Sequence, residues 1–319
     1  MIRHRVLTWD KMTIPKTSID KNESIDMTRN LSISLHHGGN IVVQTFHSEE
    51  ELPFDGFGEL LGLEVQRVPG CSPDTIIVLP GKMPEGAHLL HKGKITDLWF
   101  TSDWQSILVC CYQKRPRDPR LYKLYVWQTS LMMAGLNAIL RGIKAVICHG
   151  ALLETEGGGV VIFGESGMGK STASRRWREK GCNAIADDML LLEFSEDGRE
   201  ISAHRLPTWS ACFEGTNPGN YPVTKAIPVR NVLALGRSES GRDEIVELST
   251  AQYFAQCYRS MFYWNLFYSD KLSDTMKQRL TDATRQFAET ISRNFPPRAL
   301  LTVLDGDLRS VIENDLQTK

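Results

Sequence analysis

The sequence predicts an α/β protein, a phosphate-loop domain preceded by a small β-rich module. Three observations carry that reading. From residue 31 to about 111, apolar residues fall in short runs punctuated by glycine and proline turns, as strands do. From residue 119 onward, helical periodicity alternates with strand-like runs. Between the apolar run Val160-Val161-Ile162-Phe163 and a helix predicted over 171–180 stands Gly164-Glu-Ser-Gly-Met-Gly-Lys-Ser171. It is a complete G-x-x-x-x-G-K-[ST] motif in the strand–loop–helix setting that the motif requires.

Residues 1–29 are polar, lack periodicity and are expected to form a mobile tail. The module over 30–118 has β-prone runs at 33–35, 41–46, 75–79, 98–101 and 107–112, with turns at Gly38-Gly39, Pro69-Gly70 and Pro80-Gly81. One short helix is expected near 57–63. The phosphate-loop domain is expected to span 119–319. It opens with a helix over 119–143, where Asp118 suits the N-cap and Pro119 the first helical position. Leu124, Trp127, Leu131, Ala134, Leu136, Leu140 and Ile143 recur on it at helical spacing, and Met132 and Met133 read as core. Strands are predicted over 144–149 and 151–154, then the loop and its helix, ended by Gly181. A strand over 182–186 runs into Asp187-Asp188. A hairpin follows, 190–194 and 200–205 around Glu196-Asp197-Gly198. After a Gly/Asn/Pro-rich loop at 213–222 come strands at 231–235 and 244–248 and helices at 250–264 and 273–294. A strand at 299–304 and a helix at 308–315 close the chain.

The bulk numbers narrow the function classes. The chain has 319 residues, 41% hydrophobic and 24% charged, enough for a substantial core without disulfides or metal. A net charge of −1 gives no field that argues for nucleic acid as a partner. The basic run Lys114-Arg115-Pro116-Arg117-Asp118-Pro119-Arg120 reads as a solvated turn before a helix. Seven cysteines without a C-x-x-C pair fit reduced thiols and a cytoplasmic location. No signal-peptide core and no run of about 18 apolar residues is present, so no membrane association is expected. The eight histidines show no zinc-ligand spacing.

Phosphate chemistry is what remains. In this motif successive backbone N–H groups of Gly164, Glu165, Ser166, Gly167, Met168 and Gly169 cradle phosphate at the positive end of a helix. Lys170 reaches the β- and γ-phosphates, and the Ser171 hydroxyl, followed by Thr172, faces Mg²⁺. The expected ligands are therefore ATP, or another nucleoside triphosphate, with Mg²⁺. Phosphoryl transfer also needs an acidic metal ligand and a group that activates the acceptor. Asp187-Asp188 ends the first strand after the loop helix. One carboxylate there binds Mg²⁺ and the other takes the proton of an attacking hydroxyl. His149, on the strand before the loop hairpin, would orient a carboxylate or balance its charge.

Three segments carry a family resemblance: His149-Gly-Ala-Leu-Leu-Glu154, Gly159-Val-Val-Ile-Phe-Gly-Glu-Ser-Gly-Met-Gly-Lys-Ser-Thr172 and Gly181-Cys-Asn-Ala-Ile-Ala-Asp-Asp188. In order and spacing they resemble the C-terminal domain of HPr kinase/phosphorylase, over residues 144–195. More loosely, the β-rich module, Pro207-Thr208-Trp209-Ser210 and Leu304-Asp-Gly-Asp-Leu-Arg-Ser-Val-Ile-Glu313 resemble HPr-kinase-related proteins of peptide-modification clusters, of the SynChlorMet cassette and lasso-peptide kinase types. The resemblance implies an ATP- and Mg²⁺-dependent kinase acting on a serine hydroxyl of a peptide or protein. It implies Asp187 as base, Asp188 as the metal-side acid and His149 as a partner of Asp187. The chain departs from the family after the aspartates: Glu-Ile-Arg-Gly-x-Gly is absent, and residues 209–221, including Glu214, stand in its place. Assembly into a homo-oligomer is left open. The transition-state arginine is one of Arg230, Arg237, Arg242 and Arg259. A small-molecule hydroxyl kinase and a nucleotide-dependent regulatory module are the alternative readings.

Overall fold

The computed structural model describes residues 29–45, 73–78, 83, 85–93, 96–101, 106–111, 119–206, 225–266 and 272–317. Residues 1–28 of the expected tail, the helix near 57–63, the turns at Pro69-Gly70 and Pro80-Gly81, Asp118, residues 207–212 and the loop at 213–222 with Glu214 lie outside them; Arg29, the last residue of that tail, instead begins the first strand.

Two sheets organise the molecule. The first comprises β1 (Arg29–Ser34), β2 (Asn40–Thr45), β3 (Thr75–Val78), β4 (His88–Lys92), β5 (Thr96–Phe100) and β6 (Ile107–Cys111), in the order β1-β2-β3-β6-β5-β4. Gly38 and Gly39, with φ of 106° and 92°, turn the β1–β2 hairpin in a conformation that costs other residues dearly. Strand β4 is not among the runs expected from the sequence. It pairs antiparallel with β5 across a register shift between Leu89 and His91, which breaks the alternation a strand normally shows.

The second sheet has β7 (Ala145–Thr155), β8 (Gly158–Phe163), β9 (Ala184–Ala186), β10 (Met189–Phe194), β11 (Ile201–Arg205), β12 (Ile227–Arg237), β13 (Glu244–Glu247) and β14 (Arg298–Thr302). Its order is β11-β10-β7-β8-β12-β14-β13, with β9 on β7. Strands β8, β12 and β14 run parallel; the remaining pairings are antiparallel. The two runs expected at 144–149 and 151–154 are one continuous strand, β7.

Five helices complete the described chain: α1 (Pro119–Leu140), α2 (Lys170–Glu179), α3 (Thr250–Leu266), α4 (Asp274–Asn294) and α5 (Leu308–Gln317). Alternate residues of β8 face opposite cores. Val161 and Phe163 join the core shared with α1, α3 and α4, while Val160 and Ile162 join the one under α2 and α5. Helix α1 ends three residues before the expected boundary. Gly142, at φ 90°, donates to the Ile139 carbonyl and Ile143 donates to Ala138, a left-handed cap that stops the helix.

Helix α1 is buried on every side from Ser130 to Ile139, with Met133, Ala134 and Ala138 fully so. The helix lies between the sheets, touching β2, β3 and β6 of the first and β7 of the second. Gly135 permits the approach to β7, since a Cβ there would meet Ile147 Cδ1 at 2.6 Å. The α/β class with a β-rich N-terminal part is therefore present as expected. Among the described residues, no helix is long and apolar enough to cross a membrane.

Candidate active site

Strand β8 ends at Phe163, and the phosphate loop begins one residue later, at the carboxyl ends of the parallel strands. Gly167 and Gly169 adopt φ of 82° and 104°, the left-handed region, and a Cβ on either would meet no atom within 4 Å. Glycine is needed there for backbone conformation rather than for space. Gly169 is the N-cap of α2 and offers no side-chain cap. The first turn of α2 carries no acid, and Arg176 and Arg178 sit in its last turn. The N-terminus therefore keeps unneutralised N–H groups and positive dipole, as an anion site requires.

Lys170 is only 5% exposed. Its ammonium donates to the carbonyls of Gly164 at 2.7 Å and Glu165 at 2.9 Å, so the loop holds the lysine on its own backbone. Burial pushes its pKa down to about 8, and the Asp188 carboxylate acts in the opposite direction. Ser171 is exposed and Thr172 half-buried at the helix start. Ser171 and Asp188 fit the sparse protein ligation that Mg²⁺ uses when phosphates supply the other ligands. Among the described residues, no group of three His, Cys, Asp or Glu is placed to hold a metal unaided.

Strand β7 brings the second half of the site. Ala186 of β9 lies opposite Leu152, and Met189 of β10 lies opposite His149. Asp187 and Asp188 thus interrupt what is otherwise one strand along β7, facing Ala151 and Gly150, and Gly150 N–H donates to Asp188 O at 3.0 Å. The His149 Nδ1 lies 3.0 Å from Asp188 Oδ1 and 2.9 Å from the Asp188 carbonyl. Asp187 is buried, 4% exposed, whereas Asp188 is half-buried and reaches the cavity. These contacts set the Asp188 carboxylate against His149.

A cavity of about 480 Å³ joins the parts, lined by His149, Gly164, Glu165, Ser166, Asp188, Gln256, Arg259 and Ser260. Its far wall is α3, which places Arg259 Nη1 3.1 Å from Glu165 Oε1. Of the four arginines named from the sequence, Arg259 alone lines this cavity. Arg230 follows Val229, opposite Gly159 at the end of β8 remote from the loop, and Arg242 lies 4.0 Å from Glu244. Gln256 and Ser260 were not foreseen. Their only sequence signal is helical spacing around Arg259, which puts them on one side of α3.

The fold defines a class: a kinase-like α/β protein. The chain belongs to the SynChlorMet cassette protein ScmC family, which matches residues 109–317. Over 57 residues it is 33% identical to the HPr kinase/phosphorylase of Chlorobium phaeovibrioides (strain DSM 265 / 1930), a stretch of 18% of this chain and 17% of that relative's length. The structure of the Hpr(Ser) kinase/phosphatase from Coxiella burnetii is similar over 32% of this chain and 70% of that chain, at 18% identity and a TM-score of 0.24. The HPr-kinase-like relationship read from the motifs is borne out by the family and segment matches.

Proposed function

We propose that the protein is an ATP- and Mg²⁺-dependent phosphotransferase that moves the γ-phosphate to a hydroxyl, a serine of a peptide or protein being the acceptor. The observation that carries this reading is the shared cavity: the loop at Gly164–Ser166 and the His149–Asp188 pair line one space. A nucleotide switch also uses a loop and a metal-side acid, but it has no use for an acceptor base beside them, the role the family resemblance gives Asp187.

The loop N–H groups and Lys170 hold the triphosphate. Ser171 and Asp188 would hold Mg²⁺, with His149 orienting the Asp188 carboxylate, and the ion would supply neutralisation of phosphate charge. The acceptor oxygen enters from the α3 side and bonds to the γ-phosphorus, the bond from that phosphorus to the β,γ-bridging oxygen breaks, and ADP leaves with that electron pair. The hydroxyl proton passes to a carboxylate of the pair. The family resemblance assigns that step to Asp187.

The test uses labelled ATP, Mg²⁺ and serine-containing peptides encoded beside the gene. Wild type transfers label. Lys170→Ala loses ATP binding. Asp187→Asn retains binding and slows transfer by about 100-fold or more. Equal transfer by all three proteins would sink the mechanism. A wild type that hydrolyses ATP slowly in the presence of every peptide, transferring none, would favour the regulatory module instead.

A further inference from the structure

We infer that Arg259, the partner of Glu165 in the cavity, is the arginine that engages the γ-phosphate. The inference rests on the nucleotide reading above and adds to it a residue, a movement and a ligand preference.

Helix α3 gives Arg259 a fixed base. Tyr253 Oη donates to the Val232 carbonyl at 2.7 Å, and Tyr253, Cys257 and Met261 are fully buried against the sheet. The side chain itself is not fixed. Its pair with Glu165 is 64% and 61% exposed on the two sides, a kind of ion pair that contributes little and exchanges readily. Glu165 is the second residue of the phosphate loop and lines the same cavity, and Arg259 offsets its charge there. An incoming γ-phosphate offers a doubly charged, bidentate acceptor that outcompetes one exposed carboxylate.

Two other cations near the loop have other partners. Lys170 donates to the loop carbonyls. Arg176, on the loop helix, is held in a buried pair with Asp243 and by the carbonyls of Val303 and Gly306. Arg259 thus acts as an arginine supplied in cis, standing in the cavity beside the loop.

Arg259 therefore discriminates ATP from ADP, which lacks its contact. The experiment is calorimetric titration of the full chain with ATP and with ADP, each with Mg²⁺, together with the rate of ATP turnover. Wild type binds ATP more tightly than ADP by about tenfold. Arg259→Ala leaves ADP affinity where it was, brings ATP to the same level and lowers turnover by about 1,000-fold, with an unchanged melting temperature. Arg259→Lys restores part of the ATP preference, and Glu165→Gln increases it. If Arg259→Ala keeps both the wild-type ATP/ADP ratio and turnover, the inference falls and the nucleotide reading stands. If wild type binds neither nucleotide, both fall.

Discussion

At the scale of the residue, Lys170 couples the loop to pH. Its ammonium is buried and its pKa lies near 8, so it is charged at pH 7 and loses its proton as pH rises through that value. Bound phosphate requires the charged form. ATP affinity is therefore expected to be level below about pH 7 and to weaken above pH 8, approaching about tenfold per pH unit. Calorimetry in two buffers of different ionisation enthalpy reads the accompanying proton uptake. A flat profile to pH 9.5 would contradict the assignment. Residues of this kind were legible in the sequence because the motif is contiguous: eight positions fix a loop, a lysine and a hydroxyl. Gln256 and Ser260 were not legible. They meet the loop only through packing of α3 across the sheet, and nothing local marks a polar residue on a helix as facing a cavity rather than water.

At the scale of the element, the loop helix α2 is pinned from behind. Arg176 is 8% exposed and pairs with Asp243, 6% exposed, which also accepts from Val303 N–H at 2.9 Å. Trp177 Nε1 donates to the Glu154 carbonyl at 3.2 Å, tying the same turn to β7. Arg176→Ala leaves the Asp243 carboxylate buried without its cation, which costs about 3–5 kcal/mol of stability. Arg175→Ala, whose i,i+4 pair with Glu179 is exposed on both sides, changes little. Urea unfolding of the two variants separates them, and equal midpoints would show that Arg176 is not an anchor. The helix itself was legible from the motif upstream and Gly181 downstream. Strand β4 was not, because its register shift at Leu89 and His91 removes the period-two signal on which a sequence reading depends.

At the scale of the whole molecule, Asp74 stitches the N-terminal sheet to the rest. It is fully buried, accepts from Val42 N–H at 2.9 Å and pairs with Arg141 at 2.7 Å, just beyond α1. Asn137 of α1 donates to its carbonyl. Burial raises the Asp74 pKa to about 6, against the opposing pull of Val42 N–H and Arg141. A carboxyl whose folded pKa is raised contributes stability that is complete below its unfolded value, near pH 4, and is lost as pH rises through about 6. Its share of stability is therefore larger at pH 5 than at pH 7. Asp74→Asn removes that share's pH dependence, so the drop in urea midpoint from pH 5 to pH 7 is expected to shrink. An unchanged drop would show that Asp74 is ionised throughout.

The burial of α1 between the sheets bears on how the protein can be handled. The part that relatives share begins at residue 109, inside β6. Trimming the chain there would sever a strand and bare the side of α1 that leans on β2 and β3, leaving Leu131 to Ile139 half wrapped. The piece that looks independent by ancestry is not independent by packing, and any shortened version has to carry the first sheet with it.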